Sequence, residues 1–322
     1  MTTTCPICKS ELKFKAEIKD YAVSKESFQI FECISCQLFS TNVDHTKDLT
    51  RYYESPEYHS HVQTGQSLIS KLYRIAKKIT LCTKRNLVTQ NTRAHNSILD
   101  IGCGTGDFLH TMQKNHWQIA GMEPSDKARK QAESKLSCPV AKDLSEITGR
   151  YNTITLWHVL EHIPDLPETI AKIKQLLEDD GTLIIAVPNH KSYDATFYKS
   201  WWAGYDVPRH IWHFSATSIT NLTKEKGLKI NQIKPMYFDS YYVSLLSERY
   251  KQNKLTFPGL IRALIIGSIS NLLALFTGNY SSLIYFIKNN YCMVINEIYK
   301  RCYVFFIEFL YIIHNNFNVR ML

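Results

Sequence analysis

Several common features are missing from this sequence of 322 residues. Its first ten residues, MTTTCPICKS, contain no apolar stretch, so no secretory leader is predicted. The chain contains no internal repeat and no low-complexity linker. Its nine cysteines are an odd number, which argues for thiols in a reducing compartment rather than for a disulfide framework. Together these absences predict a cytoplasmic protein.

The composition supports a packed core and an anionic partner. Hydrophobic residues make up 44% of the chain and charged residues 21%. The formal net charge of +9 favours nucleic acid, phosphorylated molecules or an anionic membrane surface as partners. Seven basic residues fall between Ser67 and Ser97, where no acidic residue occurs. That stretch is typical of a solvated helix face, and a dedicated binding patch is the alternative.

The pattern of apolar residues divides the chain into four segments. Residues 1–45 predict a small β-rich module, and residues 46–96 have apolar residues at helical spacing. From residue 97 to residue 290, short apolar runs alternate with helical stretches, which is typical of a parallel α/β sheet. Residues 291–322 form an apolar extension. The predicted strands of the α/β segment are 97–101, 117–122, 139–141, 151–156, 182–187, 228–234 and 282–288.

Two Cys-x-x-Cys pairs form a metal-ligand pattern. Cys5 and Cys8 make the first pair, and Cys33 and Cys36 make the second. Four thiolates in this arrangement suit structural Zn²⁺ in a closed tetrahedral site. A redox role is disfavoured because neither pair lies at a strand-to-helix junction of a βαβ unit. We therefore predict a zinc ribbon whose metal stabilises the fold and takes no part in chemistry.

A glycine-rich turn follows the first strand of the α/β segment. Residues 97–109 read SILDIGCGTGDFL, and their three glycines allow the backbone to pass close to a ligand. The spacing is Gly-x-Gly-x-Gly with Asp107 next, so the dinucleotide pattern Gly-x-Gly-x-x-Gly is not met. The acids Asp100 and Asp107 suit a ligand with a cationic amino-acid group better than a pyrophosphate. A tight turn without a ligand is the alternative for this motif alone.

The turn resembles the first motif of the class I methyltransferases that use S-adenosylmethionine (SAM). The resemblance implies a Rossmann-like α/β fold with a mostly parallel seven-stranded sheet flanked by helices. Glu123 would accept hydrogen bonds from the ribose hydroxyls, and Asp143 would contact the adenine. Carried over by position, the cofactor-binding residues would be Asp100, Gly102, Cys103, Gly104, Gly106, Glu123, Asp143 and Trp157.

Three further segments resemble parts of the same enzymes. Residues 160–162, Leu-Glu-His, follow the fourth strand and resemble a run in the ubiquinone-type O-methyltransferases, a small-molecule subgroup of the family. Residues 201–214, WWAGYDVPRHIWHF, resemble an Asp-x-Pro-x-His-x-x-His-Phe signature, whose aromatic residues suit a roofed pocket for a polar, flat or sugar-like acceptor. Residues 52–61 resemble the N-terminal lid of that subgroup. Ordinary packing is the alternative for any single aromatic residue.

Methylation of a hydroxyl group also needs a base, which typically contributes about 10²–10⁴-fold in rate. His158, His162 and His210 are the candidates, because imidazole titrates near neutral pH. His158 is our first choice, since it follows the fourth strand and should face the cofactor. For each of the three, the alternative is a structural histidine whose ring nitrogens are hydrogen-bonded within the fold.

An apolar insertion, residues 239–279, separates the last two predicted strands. Residues 257–277 are mostly apolar, but Arg262, Asn271 and several serines and glycines interrupt them, so a transmembrane helix, which needs about 20 mostly apolar residues, is a marginal interpretation. We predict an interfacial helix or a lid over the substrate, with peripheral membrane contact. Either would suit a lipid-linked or membrane-adjacent acceptor.

These features predict an enzyme that methylates a small molecule or a glycan building block, with O-methylation favoured. A zinc-ribbon RNA methyltransferase of the ribosomal-RNA type is the alternative that the basic charge supports, and its binding would weaken steeply with salt. A non-enzymatic adaptor with an inactive methyltransferase fold is the third interpretation, and it would not bind SAM.

Overall fold

The computed structural model describes residues 4–43, 50–53, 68–92 and 97–289, with the side chains of the first helix from residue 77 onward. Most of the predicted lid at 52–61 and the whole extension at 291–322 lie outside the described residues. The structure therefore does not test those two predictions.

The described residues form ten strands and eight α-helices. The strands are β1 (Leu12–Lys19), β2 (Ser27–Cys33), β3 (Phe39–Thr41), β4 (Ser97–Ile101), β5 (Gln118–Met122), β6 (Tyr151–Trp157), β7 (Leu177–Pro188), β8 (Trp212–His213), β9 (Leu228–Pro235) and β10 (Ser282–Asn289). The helices are α1 (Leu68–Asn91), α2 (Asp107–Gln113), α3 (Asp126–Leu136), α4 (Leu166–Leu176), α5 (Tyr193–Tyr198), α6 (Ala216–Glu225), α7 (Asp239–Gln252) and α8 (Phe257–Thr277).

The larger sheet contains six strands in the order β5-β4-β6-β7-β10-β9. The β4–β5, β4–β6 and β6–β7 pairs are parallel, whereas β10 runs antiparallel to both β7 and β9. Six of the seven strand predictions are confirmed, and the last two of these strands pair with each other across the α7–α8 insertion. This order, with helices between the strands, is a Rossmann-like α/β fold.

The remaining strand prediction, residues 139–141, is wrong, because this segment does not form a strand of the sheet. Residues 139–141 contribute a single parallel bridge between Met122 and Ala141, and the sheet has six strands instead of seven. The segment is only three residues long and begins with Pro139, which has no amide hydrogen to donate to a neighbouring strand.

The smaller sheet joins the N-terminal module to the α/β segment. Its order is β1-β2-β3-β8, so three strands of the cysteine-containing module pair with one strand from the 201–214 signature. Phe39 pairs with His213 and Ser40 with Trp212. The N-terminal module therefore packs on the part of the chain that the sequence assigns to the acceptor pocket.

The insertion folds as two packed helices. Helix α8 buries a stripe of small and branched side chains, including Ala263, Ser270 and Ala274, and Ser270 donates a hydrogen bond to Asp194 at 2.7 Å. Its other face is apolar and exposed, with Phe276 at 84% exposure. Among the described helices, α8 alone has the length and apolar composition of a membrane-spanning helix.

Candidate active site

The glycine turn after β4 borders a cavity of about 430 Å³. Gly104 has a φ of +55°, and a Cβ atom there would meet no atom within 4 Å, so this backbone faces open space. At Gly102, which has a φ of +71°, a Cβ atom would lie 2.5 Å from a methyl carbon of Val159. A side chain at Gly102 would collide with Val159, whereas Gly104 combines a φ that disfavours most other residues with open space for a ligand.

Glu123 lies beside the glycine turn, at the end of β5. Its carboxylate accepts hydrogen bonds from the amide of Gly104 and from the amide of Ser125, each at 2.9 Å. Asp143 instead caps the short turn at 144–146 by accepting a hydrogen bond from the Ser145 amide, and it lines neither of the two large cavities. The predicted adenine contact of Asp143 stays a prediction.

The two acids near the turn differ in their environments. Asp107 forms ion pairs with Lys77 at 2.7 Å and Lys135 at 2.8 Å. Burial opposes its charge, but these lysines outweigh burial and hold the pKa of Asp107 at about 2. Asp100 is fully buried, and burial raises its pKa to about 7 although Thr155 donates a hydrogen bond to it. Asp100 is therefore the acid that a cationic ligand group would stabilise, while the charge of Asp107 is already compensated.

Lys84 is a residue whose role at the site the sequence did not reveal. It projects from α1 into the cavity, where its ammonium nitrogen lies 4.6 Å from the centre of the Trp157 ring. Burial lowers the pKa of Lys84, and the nearby charges of Asp100 and Asp239 oppose that effect. In the sequence, Lys84 belonged to a basic stretch interpreted as a solvated face, and no local pattern distinguished it.

A second cavity of about 1060 Å³ adjoins the first, and both are lined by Thr80 and Lys84. Its walls come from the β1–β2 turn, from residues 201–210 and from α7, which contributes Tyr242, Leu246 and Tyr250. Helix α8 contributes no residue to either cavity. The wall over the larger cavity is therefore α7, and α8 packs behind it.

Glu161, His162 and His210 meet at the floor of the larger cavity. Each offers one ligand or acceptor atom, and these atoms lie within 4.8 Å of one another. Two hydrogen bonds join the 160–163 segment to the 209–212 segment. The Ile211 amide donates to the Glu161 carbonyl oxygen, and the Trp212 indole donates to the Ile163 carbonyl oxygen. The crossing of the 160–163 and 209–212 segments thus brings together side chains that are far apart in the sequence.

The two histidines turn one nitrogen towards backbone carbonyls. Nδ1 of His162 lies 2.8 Å from the Arg209 carbonyl oxygen, and Nδ1 of His210 lies 2.9 Å from the Gly204 carbonyl oxygen. Only a protonated nitrogen can donate to a carbonyl, so Nε2 carries the lone pair in the neutral form of each ring. Burial and the neighbouring His162 lower the pKa of His210 to about 4, so His210 is neutral at pH 7.

His158 has a different environment from the other two histidines. Its Nε2 lies 3.1 Å from Asp239 Oδ2, and its Nδ1 lies 3.4 Å from Glu161 Oε1. Burial opposes the charged ring, but the two carboxylates outweigh burial and raise the pKa of His158 to about 10. An imidazolium held between two carboxylates has no free lone pair at neutral pH, so the geometry does not favour our first choice of base.

The 201–214 signature divides between the cavity and the interior. Trp201 and His210 line the larger cavity, and Tyr21 of the β1–β2 turn stacks on Trp201 with ring centres 4.4 Å apart. Of the remaining aromatic, histidine and arginine side chains, Tyr205 is half-buried and packs against Trp202, and five are buried: Trp202, Trp212, His213, Phe214 and Arg209. Ordinary packing is thus the correct interpretation for most of this segment.

The four cysteines of the N-terminal module cluster as expected. Their sulfur atoms all lie within 4.8 Å of one another, and the two closest pairs, Cys5–Cys36 and Cys8–Cys33, are 3.4 Å apart. That distance is too long for a disulfide. It is close to the roughly 3.8 Å that a tetrahedral zinc site with bonds of about 2.3 Å requires. The donor set fits structural Zn²⁺.

Comparison with known proteins identifies a family for this chain. A family model described as a methyltransferase domain matches residues 71–233, which is just over half of the chain. A ubiquinone biosynthesis O-methyltransferase of Nitrosospira multiformis is 24% identical over 45% of this chain and 68% of its own length. A second, from Actinobacillus pleuropneumoniae serotype 7, is 33% identical over 29% of this chain and 45% of its own length.

Among solved structures, the magnesium protoporphyrin IX methyltransferase of Synechocystis PCC 6803 with bound S-adenosylhomocysteine (SAH) is 17% identical. It covers 74% of this chain and 91% of its own, with a TM-score of 0.45. The fold and the glycine-turn cavity define a class I α/β enzyme with a cofactor site at the carboxyl ends of its strands. The chain belongs to the methyltransferase-domain family and is a SAM-dependent methyltransferase.

Proposed function

We propose that this enzyme transfers the methyl group of SAM to a hydroxyl group of a small-molecule or glycan-type acceptor. The observation that carries the proposal is the junction of the two cavities at Thr80 and Lys84. The smaller cavity is lined by the glycine turn, whose Gly104 amide donates to Glu123, and the larger one has room for an acceptor. The relatives named ubiquinone biosynthesis O-methyltransferases support transfer to oxygen.

The cofactor, when bound, supplies an electrophilic methyl group on a sulfonium. In our proposal the glycine turn, Cys103 and Asp100 hold its amino-acid part, and Glu123 holds its ribose. Trp157 and Lys84 separate the cofactor from the acceptor cavity. Because methyl transfer needs an in-line approach, this positioning is the main contribution of the protein.

Glu161, His162 and His210 form the acceptor-activating cluster in this proposal. A hydroxyl group must lose its proton as it is methylated, and the cluster places two imidazole lone pairs and one carboxylate at the cavity floor. His158 acts as a fixed positive charge that orients Glu161 and Asp239. The proposed roles therefore pass from His158 to the other two histidine candidates.

In our proposal the N-terminal module binds Zn²⁺ through Cys5, Cys8, Cys33 and Cys36, and the metal has a structural role. Three of the four cysteines are buried, and the chain provides all four ligands, so no coordination position is left for a substrate. Through β3 and β8 the metal would stabilise the cavity wall that carries His210.

The exposed apolar face of α8 supports peripheral membrane contact by a cytoplasmic enzyme. Leu272, Leu275 and Phe276 have exposures of 58%, 64% and 84%. A lipid-linked or membrane-adjacent acceptor would then reach a cavity whose α7 wall packs on this helix. The RNA alternative has less support, because the charge of Lys77 is paired with Asp107 and Lys84 faces the cavity, so two of the seven basic residues are engaged within the chain.

The proposal is tested by incubating the protein with methyl-labelled SAM and fractionated cell extract, followed by mass spectrometry of the labelled product. We expect an O-methylated molecule of low mass or a glycan precursor. Label in RNA, or methyl groups on nitrogen or carbon, would contradict the proposal. Calorimetry with SAH tests the cofactor site separately. If SAH does not bind, the non-enzymatic adaptor becomes the better interpretation.

A further inference from the structure

The carboxylate of Glu161 is buried without a matching set of hydrogen bonds. Its side chain is 1% exposed, and neither oxygen accepts a hydrogen bond from the described residues. The nearest ring nitrogens among the described residues are Nδ1 of His158 at 3.4 Å and Nε2 of His210 at 3.9 Å. Because a buried carboxylate is costly unless it is paired and hydrogen-bonded, this group needs a further partner.

The ion pair of Glu161 with His158 is shared with a second carboxylate. His158 carries one positive charge but lies between two carboxylates, those of Glu161 and Asp239. Arg209 and Asp206, the next charged pair along the chain, are already paired with each other at 2.6 Å. His158 is therefore shared between two carboxylates, and the carboxylate of Glu161 faces the ring nitrogens of His162 and His210, an arrangement that suits a cation.

The two histidines are oriented in the way that metal-binding histidines usually are. Each donates its Nδ1 hydrogen to a backbone carbonyl, of Arg209 or Gly204, and so presents Nε2 as a ligand atom. Such carbonyl partners fix the ring orientation and strengthen the ligand. Two imidazoles and one carboxylate are a common set for divalent transition metals, with the remaining positions open.

We propose that Glu161, His162 and His210 bind one divalent transition-metal cation, and that this cation receives the acceptor hydroxyl. The inference rests on the proposed O-methylation and specifies how the cluster activates the acceptor. The bound hydroxyl releases its proton to solvent at the cavity mouth. Its oxygen then forms the new bond to the methyl carbon as the carbon–sulfur bond breaks and neutral SAH leaves. With metal–ligand bonds of about 2.1 Å the ligand atoms must approach to roughly 3.0–3.4 Å, so binding draws the three side chains together.

The test titrates the zinc-loaded protein with Mn²⁺ and measures free Mn²⁺ by electron paramagnetic resonance. Mn²⁺ prefers oxygen and nitrogen ligands to thiolates, so the four-cysteine site does not interfere. We expect one Mn²⁺ site in the unaltered protein. In Glu161→Gln and in His162→Gln the affinity should fall at least about tenfold, since even the partners of metal ligands contribute roughly 10–100-fold. His116→Asn, at an exposed position, is the matched control and should bind Mn²⁺ normally.

SAH calorimetry and zinc content confirm that each variant is folded. If either Glu161→Gln or His162→Gln fails to fold, the other still provides the test. An absence of Mn²⁺ binding, or equal binding by all four proteins, would overturn the metal site. O-methylation that persists undiminished in EDTA would overturn the role of the cation while leaving the proposed function intact. Metal binding together with methylation of nitrogen only would instead overturn the proposed function.

Discussion

Asp20 forms a buried ion pair with Arg209, a residue 189 positions further along the chain. The two side chains are 0% and 1% exposed, and the nitrogen-to-oxygen distance is 3.1 Å. Asp20 also accepts hydrogen bonds from the backbone amides of Ala22, Val23 and Ser24, and so shapes the β1–β2 turn. One carboxylate thus connects the turn that lines the acceptor cavity to the segment that carries His210.

Replacement of Asp20 by Asn should lower both stability and acceptor affinity. Arg209 retains its pairing with Asp206, so we expect a loss of about 3 kcal/mol in the free energy of unfolding, the lower end of the range for a broken buried pair. Urea unfolding measures this loss. Asp179→Asn removes an exposed pair with Arg150 and should cost less than about 1 kcal/mol. Equal losses in the two variants would refute the structural role of Asp20.

Loss of the metal from the cysteine cluster should affect the acceptor before the cofactor. The cluster holds the module whose β3 pairs with β8, whereas the glycine turn makes no strand contact with it. We expect Cys33→Ser to lose zinc and to raise the KM for the acceptor, with SAH affinity unchanged. Cys138→Ser, a half-buried thiol outside the cluster, is the control. A parallel loss of SAH binding would show that the module supports the whole fold.

The charge on His158 predicts a pH dependence of stability. The two carboxylates beside it raise its pKa from 6.5 to about 10. The stabilisation that this ring contributes is therefore complete below about pH 6.5 and is lost as the pH rises through about 10. The difference in unfolding free energy between the unaltered protein and His158→Asn should be largest near pH 6 and should shrink towards pH 10.

Asn is a suitable replacement because His158 has a φ of +56°, a conformation that asparagine adopts more readily than most residues. Urea unfolding at several pH values gives the comparison, and His116→Asn controls for the loss of an exposed imidazole. A constant difference from pH 6 to pH 10 would show that His158 is not held as a cation.

Charge reversal at Glu123 should abolish tight cofactor binding. Its carboxylate organises the Gly104 amide and is proposed to accept the ribose hydroxyls. Hydrogen bonds to a charged group contribute about 1.5–3 kcal/mol, so SAH affinity in Glu123→Lys should fall at least about tenfold. Calorimetry with SAH checks this, and Glu225→Lys, on the exposed end of α6, is the control for added charge. Unchanged affinity would remove Glu123 from the cofactor site.

The apolar face of α8 predicts binding to anionic lipid vesicles. In Leu275→Ser/Phe276→Ser the bound fraction in a sedimentation assay should fall at least about tenfold, because each large apolar side chain contributes about 1.5–3 kcal/mol on burial. Ile34→Ser removes an equally exposed apolar side chain, 64% exposed, from the cysteine module and should change nothing. Vesicle binding that does not distinguish the two variants would exclude α8 as the contact.

The sequence by itself determined the α/β pattern, the glycine turn and the four-cysteine cluster. These features are local: apolar periodicity, glycine spacing and Cys-x-x-Cys turns need no knowledge of distant residues. The short bridge at 139–141 shows the limit of that approach, because pairing length depends on the neighbouring strand as well as on the segment. Most aromatic residues of the 201–214 signature likewise proved to be packing residues.

Only the tertiary structure decided which histidines are available for chemistry. His158 and His162 are four residues apart on one loop, yet Asp239 from the start of α7 makes the first a fixed cation. The second instead meets His210, which arrives through the pairing of β3 with β8. Protonation and convergence of side chains depend on charges and strands contributed by remote parts of the chain, and no local pattern encodes them.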